Sequence, residues 1–176
     1  MSFSSAVALF VAMVVLALLP SISVMTVLAR SASWGFRHGA VTSLGIVAGD
    51  IVYILLAIYG LSFLTETMGG WVVFIKYLGA VYLIGLGLSL WRSRSNALAI
   101  EPTSETALVS SFLAGFLLTL GDQKAVLFYL SFFPAFVDLS RLSFVDTGIV
   151  VAIAITAVGG VKLGYALLAD RASSRL

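Results

Sequence analysis

The sequence lacks cysteine, has a single histidine and three prolines, and carries few charges. Without cysteine there can be no disulfide, no thiol redox chemistry and no thiolate metal site. Charged residues make up only 10% of the chain and hydrophobic residues 61%, whereas soluble domains are roughly 25% charged. Such a chain cannot cover itself with polar surface in water, so we expect it to use lipid as its solvent. The net charge of +2 gives no reason to expect a nucleic-acid partner.

Long hydrophobic runs take up most of the chain. A bilayer-spanning helix needs about 20 apolar residues, and five stretches are long enough: residues 3–29, 40–64, 71–91, 108–137 and 144–169. The first run lacks a basic start and stays apolar beyond Pro20, so we interpret it as a span and not as a cleavable signal peptide. These runs predict an all-α fold, a polytopic membrane bundle of about five transmembrane helices forming one domain over residues 1–176.

Basic residues are distributed unevenly between the loops. Loops one and three and the tail contain six arginines: Arg30, Arg37, Arg92, Arg94, Arg171 and Arg175. Loops two and four contain only Arg141. Because lysine and arginine accumulate in cytoplasmic loops, this bias predicts an N-terminus outside and a C-terminus in the cytoplasm. The one histidine, His38, lies in the first predicted loop, where we interpret it as solvated.

Four ionisable side chains lie well inside the predicted spans: Asp50, Asp122, Lys124 and Lys162. Each costs about 2.5 to 3.5 kcal/mol at the centre of a membrane helix, so each needs an explanation. Lys76, near the start of the third span, can instead snorkel to the interface. Asp50 and Lys162 have two interpretations. One is an ion pair that only locks the bundle, and the other is a site for a substrate or a proton.

Two of the spans are interrupted. Pro20 removes a backbone N–H and clashes with the preceding turn, so the first helix should kink or break at Pro20 and Ser21. In the fourth span, Asp122, Gln123 and Lys124 separate two apolar halves that are each too short to cross a membrane alone. A broken helix explains this cluster, because unwound backbone is tolerated where it lines a polar cavity. The half-helix ends would then direct their dipoles at a ligand.

The two breaks occupy corresponding places in two halves of the chain. Each broken span is followed by a span that carries a charge next to two glycines spaced four apart, a spacing that lets helices approach closely. These glycines are Gly45 and Gly49 before Asp50, and Gly160 and Gly164 around Lys162. The halves would insert with opposite polarity, as in transporters built from inverted repeats. A repeat of three spans predicts a sixth span, and the sequence ends at Leu176 before one.

Five segments carry a resemblance to a known family: residues 18–21, 33–39, 44–50, 77–87 and 115–128. In this order, and along essentially the whole chain, they resemble the lysine-exporter (LysE/RhtB) family of bacterial amino-acid exporters. The resemblance implies an exporter, not an enzyme, in the bacterial inner membrane. Its expected partners are the bilayer and a small zwitterionic substrate such as an amino acid. Export would be driven by the proton gradient without a cofactor.

The chain departs from the family pattern at several places. Members usually have Pro-Gly-Pro where this sequence has Pro-Ser-Ile starting at Pro20, and Asn-Pro-Lys where it has Asp-Gln-Lys ending at Lys124. Members often have an acidic residue in the fifth span, where this chain has Lys162. These changes affect the expected substrate more than the expected fold. The absent sixth span fits either a truncated product or a site completed by another protomer, which leaves a homo-oligomer open.

The predicted site combines both breaks with the charges of the spans. Its substrate-binding or proton-coupling residues are Pro20, Ser21, Asp50, Asp122, Gln123, Lys124 and Lys162. A zwitterion needs an anionic and a cationic partner, so Asp50 could bind an amino group or carry a proton and Lys124 could bind a carboxylate. Asp122 is the other candidate proton carrier.

Other functions stay open at this point. A cation transporter would need clustered oxygen, imidazole or thiolate ligands, and two aspartates facing two lysines form a poor cation cage. The altered motifs and the absent span would suit an inactive half-transporter or a membrane scaffold. A membrane-embedded enzyme is disfavoured, because the sequence offers one histidine, no cysteine and no metal-ligand spacing.

Overall fold

The structure, a computed structural model, describes residues 1–60, 108–129 and 143–173. In these ranges the chain forms six helices: α1 (Phe3–Leu18), α2 (Ile22–Trp34), α3 (Phe36–Gly60), α4 (Leu108–Leu120), α5 (Gln123–Leu127) and α6 (Phe144–Ser173). Helix α3 includes a π-helical turn over Leu56–Gly60, and α6 contains another over Ile155–Gly159. The predicted third span, its flanking loops and residues 130–137 of the predicted fourth span lie outside the described residues.

Among the described residues, up to three units are long and apolar enough to cross a membrane. Helices α3 and α6 are each long and apolar enough, and α1 with α2 forms a third unit that is bent by 63° at its break. Large apolar side chains point outward along the helices; Val11 is 53% exposed and Leu117 is 61% exposed. Such surfaces are stable against lipid, where no water needs to be excluded. The prediction of an all-α membrane bundle is confirmed.

Both predicted helix breaks are present. Helix α1 ends at Leu18, the backbone is extended at Ser21, and α2 begins one residue later. Helix α4 ends at Leu120, and Asp122 caps the start of α5 by accepting a hydrogen bond from the backbone N–H of Lys124 at 2.9 Å. Asparagine and aspartate are both preferred at this capping position. Asp122 can therefore fill the place of the asparagine that the family resemblance leads one to expect.

Helices α3 and α4 touch through glycine. A Cβ atom at Gly45 would overlap the carbonyl oxygen of Phe112, and a Cβ atom at Gly115 would overlap that of Thr42. One turn further along α3, a Cβ at Gly49 would lie 2.7 Å from the Cβ of Thr119. The two helices therefore pack backbone to backbone, which holds the α4 break beside the middle of α3.

The second glycine pair behaves differently. A Cβ at Gly160 or Gly164 would meet no atom within 4 Å in the part of the chain that the structure describes. The predicted close approach is therefore present at Gly45 and Gly49 and has no counterpart around Lys162 among those residues.

The predicted first loop is almost absent. Helix α2 continues past Arg30 to Trp34, and Gly35, with φ of 86°, makes the turn into α3 alone. Arg30 is only 6% exposed, with its Nη1 atom donating to Ser111 Oγ at 2.9 Å and its guanidinium 5.1 Å from the Trp34 ring. His38 belongs to α3, and its Nδ1 atom lies 2.9 Å from the same serine oxygen. The predicted loop positions of Arg30 and His38 are therefore wrong, because both residues lie in helices, where α4 supplies a partner for each.

Candidate substrate site

A cavity of about 40 Å³ lies beside the break between α1 and α2. Four charged side chains border it: Asp50 from α3, Asp122 from the α4–α5 break, Lys124 from α5 and Lys162 from α6. The remaining lining residues are Leu16, Ala17, Ile46, Thr119, Ala125, Tyr129 and Val158. The structure thus brings four of the seven predicted site residues to one place.

Both lysines of the cavity hold the carboxyl end of α1. Pro20 has no N–H, so the carbonyl of Leu16 lacks its helical partner, and Lys124 Nζ donates to this carbonyl at 2.6 Å. Lys162 Nζ donates to Ser23 Oγ at 3.0 Å and lies 3.5 Å from the carbonyl oxygen of Ala17. Cations are favoured at this end of a helix, where the macrodipole is negative.

The other predicted residues lie around the cavity without lining it. Pro20 is exposed. Its effect on the cavity is indirect, because its missing N–H leaves the carbonyl of Leu16 free to accept from Lys124. Ser21 is hydrogen-bonded through Oγ to Ser23 Oγ at 2.9 Å, which connects it to Lys162 through one intervening hydroxyl. Gln123 is the first residue of α5, and its side chain lies outside the described part of the structure.

Asp50 is buried, with 6% of its surface exposed, and its hydrogen-bond partner is the hydroxyl of Tyr129. Tyr129 is 1% exposed and stacks on Tyr53, with ring centroids 6.0 Å apart. Within the described residues, no cavity carboxylate lies within 4.0 Å of a lysine nitrogen. The interpretation of Asp50 as half of an ion pair that only locks the bundle therefore finds no such pair among these residues. The role of Tyr129 was not predicted, since nothing in its local sequence marks it.

Two tyrosines cap the two helix breaks in the same way. The hydroxyl of Tyr53 donates to the carbonyl of Leu120 at 2.6 Å, and that of Tyr165 donates to the carbonyl of Leu18 at 3.1 Å. Each tyrosine comes three residues after a cavity charge, Asp50 or Lys162. The second span thus caps the break in the fourth, and the fifth span caps the break in the first. Sequence reasoning missed both tyrosines, although the repeated spacing from a buried charge would have signalled them.

The cavity is small. Ligand pockets usually have about 300 to 1,000 Å³, and this cavity has about 40 Å³, so it must widen to admit a solute. The four formal charges of its described lining residues, two negative and two positive, sum to zero.

A helical membrane bundle whose charged interior cavity lies at two helix breaks has the architecture of a small secondary transporter. The chain belongs to the LysE type translocator family, which it matches over residues 14–176. This membership confirms the resemblance found in the sequence, and it makes the chain a membrane transport protein of a family of amino-acid exporters.

Relatives of the chain include proteins with and without a described activity. An uncharacterized membrane protein of Synechocystis sp. is 48% identical over 171 residues, which cover 97% of this chain and 83% of that protein. A leucine efflux protein of Enterobacter sp. is 35% identical over 129 residues, which cover 70% of this chain and 59% of that protein. The chain therefore matches less than two thirds of the length of the efflux protein. No solved structure matches the chain.

Proposed function

We propose that the chain exports amino acids or related small zwitterions across the bacterial cytoplasmic membrane, coupled to the proton gradient. The observation that carries this proposal is the cavity at the two helix breaks, where two carboxylates and two ammonium groups face one space without pairing with each other. Family membership supports amino-acid export, and the leucine efflux relatives suggest an aliphatic amino acid as the first solute to test.

The charges of the cavity suit a zwitterion. A buried charge is tolerated only when a partner compensates it. A molecule with one ammonium and one carboxylate leaves the sum of charges in this cavity unchanged, whereas a cationic solute would add an uncompensated charge. Apolar side chains, among them Leu16, Ile46 and Val158, complete the lining and suit an aliphatic substrate side chain.

Proton coupling would use the buried carboxylate of α3. Asp50 has a hydroxyl partner in Tyr129 and no lysine partner in the described residues, so it can take up a proton without breaking an ion pair. Asp122 caps α5 through its side chain, and protonation of this carboxylate would weaken the cap. We therefore favour Asp50 over Asp122 as the proton carrier.

Counterflow in proteoliposomes tests the proposal. Vesicles loaded with L-leucine should accumulate labelled L-leucine, and Lys124→Ala should lower this uptake by about tenfold or more, the effect of losing one hydrogen bond to a charged group. Asp50→Asn, which removes the proposed proton carrier, should retain this counterflow and lose the uptake that an imposed proton gradient drives. Asp146→Asn and Arg37→Ala change charges of the same sign outside the cavity, and they should retain most of the uptake.

Two outcomes would contradict the proposal. Wild-type counterflow in Lys124→Ala, together with wild-type gradient-driven uptake in Asp50→Asn, would exclude the proposed site. If the folded and inserted wild-type protein moves no amino acid at all, the inactive-scaffold alternative is correct instead.

A further inference from the structure

Three successive carbonyls at the end of α1 are hydrogen-bonded by side chains. The carbonyl of Leu16 accepts from Lys124 at 2.6 Å, that of Ala17 from Lys162 at 3.5 Å, and that of Leu18 from Tyr165 at 3.1 Å. In a continuous helix, the donors would be the N–H groups of residues 20, 21 and 22. Residue 20 is proline, and the chain bends by 63° at this break. The break therefore exposes a row of backbone acceptors.

Two of the three residues that carry these carbonyls line the cavity. Leu16 and Ala17 line it, and Leu18 does not. The donors that reach the carbonyls of the two lining residues are the primary ammonium groups of Lys124 and Lys162, whereas the third donor is a phenol. The carbonyls of Leu16 and Ala17 thus already bind primary ammonium groups, which the protein itself supplies in this conformation.

We propose that these two carbonyls form the subsite for the ammonium group of the substrate, and that Lys124 and Lys162 leave them to bind its carboxylate. This inference rests on the proposed function and deepens it. It identifies the substrate as an α-amino acid with a free primary ammonium group. Asp50 then serves the proton alone, which agrees with its hydrogen bond to Tyr129.

The exchange conserves hydrogen bonds. Each lysine that turns to the substrate carboxylate leaves a carbonyl that the incoming ammonium can satisfy, since an ammonium group has three donors. No buried polar group is left unpaired, which would otherwise oppose binding. Ala17 is the more available acceptor, because Lys162 lies 3.5 Å from it and makes its shorter bond, 3.0 Å, to Ser23.

The exchange also predicts which analogues are rejected. Isoamylamine, which is leucine without its carboxylate, cannot draw the lysines away from the carbonyls. The acid 4-methylpentanoate, which lacks the ammonium group, would draw the lysines away and leave the carbonyls bare. Neither compound should displace labelled L-leucine from the wild-type protein at concentrations where unlabelled L-leucine does.

Lys124→Met separates this exchange from a purely structural role. In the purified full chain reconstituted in liposomes, the variant should bind labelled L-leucine about tenfold more weakly, because one charge-assisted hydrogen bond is lost. It should also bind labelled isoamylamine about tenfold more tightly than the wild type does, because the carbonyl of Leu16 is vacated while an ammonium donor can still fill it. Arg37→Met, which removes an exposed cation outside the cavity, should change neither affinity.

Lys162→Met provides the same test at Ala17 if the first variant does not fold. Pro20→Ala tests the carbonyl of Leu16 through the backbone, because the variant adds an N–H at residue 20 that can donate to this carbonyl. This variant should weaken L-leucine binding, whereas Leu19→Ala, a change at the neighbouring exposed residue, should not.

The failures of the two proposals differ. A folded Lys124→Met variant that loses L-leucine binding without gaining isoamylamine binding overturns the exchange and leaves the proposed function intact. Unchanged L-leucine binding in both Lys124→Met and Pro20→Ala likewise overturns the exchange and leaves the proposed function intact. A wild-type protein that binds no amino acid overturns both.

Discussion

Polar side chains in the interior of this protein find partners mainly on the backbone. Lys124 and Tyr53 bind carbonyls at the two breaks, and Ser31 Oγ donates to the carbonyl of Ala166 at 2.6 Å. Within a bilayer an unsatisfied polar group costs several kcal/mol, so each freed carbonyl selects a donor from a neighbouring helix. Tyr129 differs, because its partner is the carboxylate of Asp50.

Tyr129→Phe should destabilise the protein by about 1 to 3 kcal/mol, because it leaves the buried Asp50 carboxylate without this donor. The unfolding midpoint of the purified protein in detergent measures the effect. Tyr59→Phe is the matched control. The Tyr59 side chain is 43% exposed, and its hydroxyl lies 3.5 Å from Thr147 Oγ1. Equal midpoints for the two variants would mean that the Asp50 contact does not stabilise the fold.

Broken helices are the elements that create the cavity, and each break is held by the opposite half of the chain. The carboxyl end of α1 is capped from α5 and α6, and that of α4 is capped from α3. The similar placement of Tyr53 and Tyr165 supports the inverted repeat that the sequence predicted. It also means that neither break can lengthen into a straight helix without releasing a donor from the other half.

The sequence predicted where the helices break, but not which side chains hydrogen-bond the carbonyls at each break. Pro20 and the cluster at Asp122 mark breaks through local chemistry, since one lacks an N–H and the other places polar groups in an apolar run. Helix α2 extends beyond residue 29, where the sequence predicts the first span to end. The charge of Arg30 indicates a loop, and only the fold reveals that Ser111 lies beside it. Which carbonyl Tyr53 meets likewise depends on how α3 and α4 pack, and a single sequence does not contain that geometry.

Gly45→Ala tests the packing of these two elements. Its new Cβ would overlap the carbonyl oxygen of Phe112, backbone that cannot rotate away, so α3 and α4 would have to separate. Overpacking of this kind costs about 1 to 3 kcal/mol, and the unfolding midpoint in detergent should fall accordingly. Gly164→Ala, which meets no atom within 4 Å among the described residues, should have little effect. A normal midpoint for Gly45→Ala would show that the close approach is not required.

At the scale of the molecule, the described helices define two opposite ends. The amino group of Met1 lies 2.6 Å from Asp146 Oδ1, which joins the start of α1 to the start of α6. At the other end, the backbone N–H of Phe36 donates to Asp170 Oδ1 at 2.9 Å, which joins the start of α3 to the last turns of α6. The first span and α6 therefore run in the same direction, and α3 runs against them.

This arrangement turns the charge bias of the loops into a testable orientation. Arg37 and Arg171 belong to the end that holds Asp170, and basic residues favour the cytoplasmic side, so Met1 should face outward. The chain contains no cysteine, so single cysteines at the exposed positions Ser4 and Ser173 give labels without background.

In intact cells, a membrane-impermeant maleimide should label Ser4→Cys and leave Ser173→Cys unlabelled until the membrane is permeabilised. The cysteine-free wild type is the control for nonspecific labelling. The reverse pattern would invert the orientation and place Arg37 outside. Equal labelling of both variants in intact cells would mean that the protein inserts in both directions, and then the bias of basic residues would not determine which way the cavity opens.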